Sequence, residues 1–142
     1  MENRIKSLFV YGSLMSGFQQ AAYEYVSRYF TLIGEAKVRG RLFDMGSYPV
    51  AKPFDGNSYL YGELYTIKNP DEFNYAIGQL DQYENVTVEE GETPLYRREL
   101  CKAHFNDKEL DAWIYWYLGN VDDKPVFPGG RVSDYLKMKN WM

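Results

Sequence analysis

The chain has 142 residues, enough for one ordinary core and too few for two. Apolar residues make up 45% of it and aromatic residues 18%, a composition that can bury a sizeable core and excludes a disordered chain. Sixteen Lys and Arg against twenty Asp and Glu leave a formal charge of −4, without the cationic footprint that a nucleic-acid backbone or an anionic membrane requires.

The first element is Leu8-Phe9-Val10, a short apolar run that fits a buried strand. It is too short for a signal-peptide core or a bilayer span, and no other stretch approaches eighteen apolar residues. The expectation is a soluble, cytoplasmic protein, residues 1–142 forming one domain, with neither a membrane nor a nucleic-acid partner. Two glycines in Tyr11-Gly12-Ser13-Leu14-Met15-Ser16-Gly17 mark a sharply turned loop. Good helix formers over residues 19–27 then predict a short helix.

From residue 31 to residue 43 the hydrophobic period is two. Leu32, Gly34, Ala36, Val38, Gly40 and Leu42 fall on one face, and Glu35, Lys37, Arg39 and Arg41 on the other. That alternation predicts a long, half-buried antiparallel strand, in which Gly34 and Gly40 mark a bulge, a bend or a close backbone approach. A second β run covers residues 59–67, with Gly62 in its middle. The clearest helix follows: Asn69 is the expected N-cap, Pro70 suits the first helical position, and Asp71 and Glu72 favour the positive end of the helix dipole. It should run from Pro70 to Tyr83 or Glu84. Residues 96–105 and 110–118 read as two more strands, joined through Asn106-Asp107-Lys108. The last strand is apolar or aromatic on both faces, so it should be central and covered on each side. Residues 129–142 read as a loop and a short terminal helix or extension. Many strands with interior glycines, and few short helices, predict an α+β fold with a strongly curved sheet or small β-barrel flanked by the helices.

The helix at Pro70 carries an acid on its buried face. With Phe73 at zero on a helical wheel, Ile77 falls at about 40°, Leu80 at about −20° and Glu84 at about 20°, while Asp81 sits near 80° at the edge of the stripe. An unpaired buried carboxylate costs several kcal/mol or takes up a proton, and desolvation raises its pKa toward the range of a general base at neutral pH. The alternative is a helix that ends at Leu80, leaving Glu84 in solvent or paired with Arg97 or Arg98. The loop Tyr11-Gly12-Ser13-Leu14 offers the complementary chemistry. Between a strand and a helix its successive N–H groups can converge on one concavity, and Gly12 lets a ligand approach the backbone. Such an array binds a carboxylate or a developing oxyanion without a cationic side chain. The alternative is an ordinary turn in which Ser13 caps the local backbone.

In chain order the motifs are Phe9-Val10-Tyr11-Gly12-Ser13-Leu14, Val38-Arg39-Gly40-Arg41-Leu42-Phe43, Tyr48-Pro49 and Tyr61-Gly62-Glu63-Leu64-Tyr65. Leu80-Asp81-Gln82-Tyr83-Glu84, Pro94-Leu95-Tyr96-Arg97-Arg98 and Trp116-Tyr117 complete them. Together they resemble the gamma-glutamylcyclotransferase-like family, which includes the gamma-glutamylamine cyclotransferases and the AIG2-like proteins. The resemblance implies a small mixed barrel whose Tyr-Gly-Ser-Leu loop and helix-end glutamate face one cavity. It implies an enzyme whose γ-glutamyl substrate reacts with itself: the α-amine attacks the γ-carbonyl, giving 5-oxoproline and a released amine or amino acid. Carried onto this chain, Glu84 is the general acid and base. Gly12, Ser13 and Leu14 hold the γ-glutamyl group, and Tyr11 and Tyr117 line the pocket.

Nucleophile and electrophile belong to one molecule, so the chemistry needs no catalytic Ser or Cys, no metal and no cofactor; folding the substrate into an attack-ready shape and moving a proton suffice. That suits a chain with one Cys and one His. Cys101 and His104 lie three apart on one predicted strand, so they project to opposite faces and cannot form a dyad. Two departures stand out. Asn85 occupies a position where many relatives have glycine, and the acidic run Glu89, Glu90 and Glu92 is placed to border the cavity and disfavour anionic substrates. Choice among γ-glutamyl amino acids, γ-glutamylamines and larger γ-glutamylated metabolites stays open, as does oligomeric state. The rivals to an enzyme are a binding module that captures a γ-glutamyl or carboxylate-bearing small molecule without turnover, and a stress-related interaction protein with an inert site.

Overall fold

The two-residue alternation builds the longest strand, and the rest of the fold hangs on it. The computed structural model describes residues 5–12 and 21–140. In chain order its elements are β1 (Ser7–Val10), α1 (Ala21–Tyr29), β2 (Phe30–Asp44), β3 (Pro49–Pro53) and β4 (Tyr59–Ile67). A 3-10 turn (Pro70–Glu72) leads into α2 (Phe73–Tyr83), followed by β5 (Tyr96–Phe105), β6 (Lys108–Tyr117), β7 (Val126–Phe127) and α3 (Val132–Met138).

The strands run β3-β2-β4-β1-β6-β5, and a bridge between Lys37 of β2 and His104 of β5 closes β2, β4, β1, β6 and β5 into a barrel. The sheet is mixed, since β1 and β6 run parallel through Leu8 and Trp113 while the other pairs are antiparallel. The expected curved α+β barrel with flanking helices is therefore the observed fold. Along β2 the alternation holds from Ala36 to Leu42. Leu32 departs from it and is 47% exposed, because a bulge between Leu32 and Gly34 shifts the register and turns its side chain to the other face. At Gly40 the strand leaves β4 and takes β3 as partner.

Two apolar layers share the wall of the barrel. Phe9, Leu42, Leu60, Leu64, Ile114 and Trp116 fill the interior. Leu8, Val26, Phe30, Ile77, Leu80 and Tyr115 form a second layer between the outer wall and the helices. Strand β6 feeds both, Ala112, Ile114 and Trp116 turning inward and Trp113 and Tyr115 outward. Its two-sided apolar sequence thus reads correctly as a strand covered on each side. The β5–β6 connection is one residue tighter than expected: Phe105 pairs with Lys108, and Asn106 and Asp107 take φ of 50° and 63°, the left-handed pair that matches strand twist in a two-residue hairpin. Gly62 is a close approach, since a Cβ there would collide with the Val10 carbonyl oxygen at the end of β1. No described helix is long and apolar enough to cross a membrane.

Candidate functional site

Glu84 is fixed by how α2 ends. Phe73, Ala76, Ile77 and Leu80 bury the stripe the wheel predicts, and the helix continues past Leu80. Glu84 is the C-cap. Beyond it the Asn85 N–H donates to the Gln82 carbonyl at 3.1 Å and the Val86 N–H to the Asp81 carbonyl at 2.8 Å, the paired bonds of a Schellman turn. Such a turn needs a left-handed residue after the cap, and Asn85 supplies it with φ 56°. The departure at residue 85 therefore leaves the helix end intact: the asparagine adopts the conformation a glycine would take. Val86 packs against the outer apolar layer and locks the turn.

A second clamp acts one turn earlier. Asp81, the one buried charged side chain among the described residues, accepts from Arg98 Nε at 2.8 Å, Arg98 Nη2 at 3.1 Å and the Tyr115 hydroxyl at 2.8 Å. Arg98 lies on β5 and Tyr115 on β6, so this acid ties the end of α2 to two barrel strands. The alternative partnership, an arginine on Glu84, does not form: Arg98 takes Asp81, and Arg97 pairs with Glu99 at 3.0 Å.

The Glu84 carboxyl makes no hydrogen bond or ion pair among the described residues. Partly buried, with burial alone acting on it, its pKa rises from the usual carboxylate range to about 7. Among the groups that its charge reaches are three phenols. Burial above all, with the Glu84 charge and, for Tyr115, the stronger influence of Asp81, pushes the Tyr11, Tyr96 and Tyr115 hydroxyls upward and keeps them protonated at neutral pH.

Tyr11 extends from β1, and its hydroxyl donates to the Tyr115 carbonyl, so the start of the Tyr-Gly-Ser-Leu loop is fastened beside β6. Gly12 follows it, with open space where a Cβ would stand. Ser13 and Leu14, the other two expected loop contacts, lie outside the described residues. Tyr117 pairs with Tyr96 across the β5–β6 ladder, its ring edge-on to that tyrosine at 5.6 Å and its hydroxyl bonded to Tyr48. Glu84 thus acts electrostatically on Tyr11 and Tyr96, Gly12 follows Tyr11 in the chain, and Tyr117 packs on Tyr96. The structure adds Tyr96 and Tyr115, whose cue in the sequence was the aromatic density of the β5 start and the β6 end.

Cys101 and His104 do project to opposite faces. Cys101 packs against the barrel interior, where burial pushes its thiol up to about 12 and keeps it protonated. His104 lies edge-on to Tyr59 at 5.8 Å, in an open outer cleft of about 630 Å³ lined also by Lys37 and Tyr61. Among the described residues no three His, Cys, Asp or Glu side chains gather as a metal site would require.

Comparison with known folds agrees with this architecture. YkqA from Bacillus subtilis superposes with a TM-score of 0.69 at 20% identity, over 96% of this chain and 43% of its own length, so the present chain spans less than half of that protein. YtfP from Escherichia coli gives a TM-score of 0.59 at 27% identity, over 91% of this chain and 97% of its own. An AIG2-like protein from Mus musculus gives 0.64 at 17% identity, over 89% and 87%. No curated protein matches the sequence. The profile described as gamma-glutamyl cyclotransferase, AIG2-like, matches residues 8–135, which takes in the barrel, α2 and its capped glutamate, and the chain belongs to that family.

Proposed function

We propose that the protein is a γ-glutamyl cyclotransferase in which Glu84 moves the proton. The observation that carries the reading is the Glu84 carboxyl, held at the Schellman end of α2 with no partner among the described residues and pushed up to about 7 by burial, within electrostatic reach of Tyr11 at the end of β1. In its ionised form Glu84 accepts a proton from the substrate's α-ammonium. The freed amine attacks the γ-carbonyl carbon, and main-chain N–H groups of Gly12, Ser13 and Leu14 meet the oxygen as it gains charge. Collapse breaks the bond to the leaving nitrogen, which Glu84 protonates. The attacking nitrogen sheds two protons in all and the departing amine gains two at neutral pH, so the carboxyl ends as it began. Products are 5-oxoproline and an amine or amino acid. Tyr11 and Tyr117 line the space in which the substrate folds on itself, and holding it in that attack-ready shape is the protein's contribution beyond proton transfer.

The test is release of 5-oxoproline from a panel of γ-glutamyl amines and dipeptides. Glu84→Gln, which keeps shape and removes the base, is expected to lower kcat by about 10²–10⁴-fold with the fold retained in circular dichroism. Wild-type turnover surviving in that variant removes Glu84 from the mechanism. Tight binding without turnover in the wild type makes the protein a capture module.

A further inference from the structure

A cation stands at the far end of the tyrosine wall from Glu84, and among the described residues no acid pairs with it. Lys52 sits on β3, half-buried, with its ammonium 5.6 Å from the centre of the Tyr117 ring. It makes no ion pair among the described residues. Its charged surroundings are Arg97, which repels it and is itself engaged with Glu99, and Asp122, which attracts it without contact. Burial and the arginine together lower its pKa. A desolvated lysine beside a second cation is a place where an arriving anion gains from both charges.

The wall connects this cation to the acid. The Asn85 carbonyl accepts from Leu95 N–H at 2.9 Å, setting the start of β5 against the end of α2. Tyr96 then pairs with Tyr117 across the β5–β6 ladder, and Lys52 caps the Tyr117 ring. A γ-glutamyl amino acid has the matching polarity, an α-ammonium at the end that Glu84 would serve and a carboxylate on the leaving group. The acidic run that the sequence sets against such a substrate does not act on Lys52: Glu89, Glu90 and Glu92 are exposed in the α2–β5 connection, and Glu92 is spent on the Glu89 N–H at 3.1 Å.

We propose that Lys52 receives a carboxylate on the leaving group, so that this protein selects γ-glutamyl amino acids and peptides over γ-glutamylamines that carry no acid. The proposal rests on the cyclotransferase reading of the same site. It is tested with γ-glutamylalanine and γ-glutamylethylamide, which differ by that carboxylate alone. Wild-type kcat/KM is expected to favour γ-glutamylalanine by about tenfold or more. Lys52→Met keeps the aliphatic stem over Tyr117 and should bring the ratio toward one, through KM rather than kcat. Lys52→Arg should retain most of the preference. A ratio unchanged in Lys52→Met, or a wild type that favours the ethylamide, overturns the proposal. Should neither compound turn over, calorimetric titration of Glu84→Gln with γ-glutamylalanine decides the two readings separately. A tenfold weaker Kd on adding Lys52→Met keeps the carboxylate contact while the chemistry falls. Equal affinity, or none, overturns the contact as well.

Discussion

Glu84 is pulled two ways: the stripe it continues is apolar, and its carboxyl prefers water. The outcome is a group that binds its proton more tightly folded than unfolded, with a pKa of about 7 against an ordinary 4.5. The folded state therefore holds the extra proton between those values, and stability falls as pH rises through that window. The loss is of order 1–3 kcal/mol once partial exposure is allowed for. Thermal melts of wild type and Glu84→Gln should coincide near pH 4, and above pH 7 the glutamine protein should melt several degrees higher. A wild type equally stable from pH 5 to pH 8 relative to that variant would show the carboxyl to be solvated. Asp81, three residues earlier, is the contrasting case: its charge meets a guanidinium and a phenol, and it serves as an anchor.

At the scale of elements, α2 and its cap decide where that acid points. Asn85 tolerates the left-handed conformation, whereas a β-branched residue does not. Asn85→Gly should be nearly neutral, while Asn85→Val should cost about 1–2 kcal/mol in urea unfolding and loosen the helix end that carries Glu84. Much of this was legible beforehand. The 73-77-80-84 spacing gave the buried face of α2, the two-residue period gave β2, and Gly34 marked an irregularity there that proves to be a bulge. Other parts had no local signal. Strand β3 is five residues bounded by Pro49 and Pro53, which the sequence presents as breakers, and β7 is only two residues long, so neither carries a periodicity. Asp81 lay at the margin of the wheel, and its partners come from strands 17 and 34 residues away, contacts that only tertiary structure can create. Lys52 was unremarkable for the same reason: its ring partner is on β6.

For the molecule as a whole, the barrel is what brings the end of β1 to the end of α2. Its tightest point is Gly62, where β4 lets the Val10 carbonyl in one residue before Tyr11. Gly62→Ala should destabilise the fold by about 1–3 kcal/mol and raise KM, because the strand that delivers the Tyr-Gly-Ser-Leu loop must shift. Denaturant titration and steady-state kinetics on that variant check both parts. The seam that shuts the barrel is slighter, a single bridge from Lys37 to His104. On the strand just behind it the chain's one thiol faces inward with its proton held fast. That makes Cys101 a built-in gauge of how often the cylinder gapes: a maleimide or disulfide reagent should modify it far more slowly than a free thiol. Sulphydryl trapping in native buffer would time those openings without any added label, and loosening the seam at Lys37 or His104 should quicken the clock.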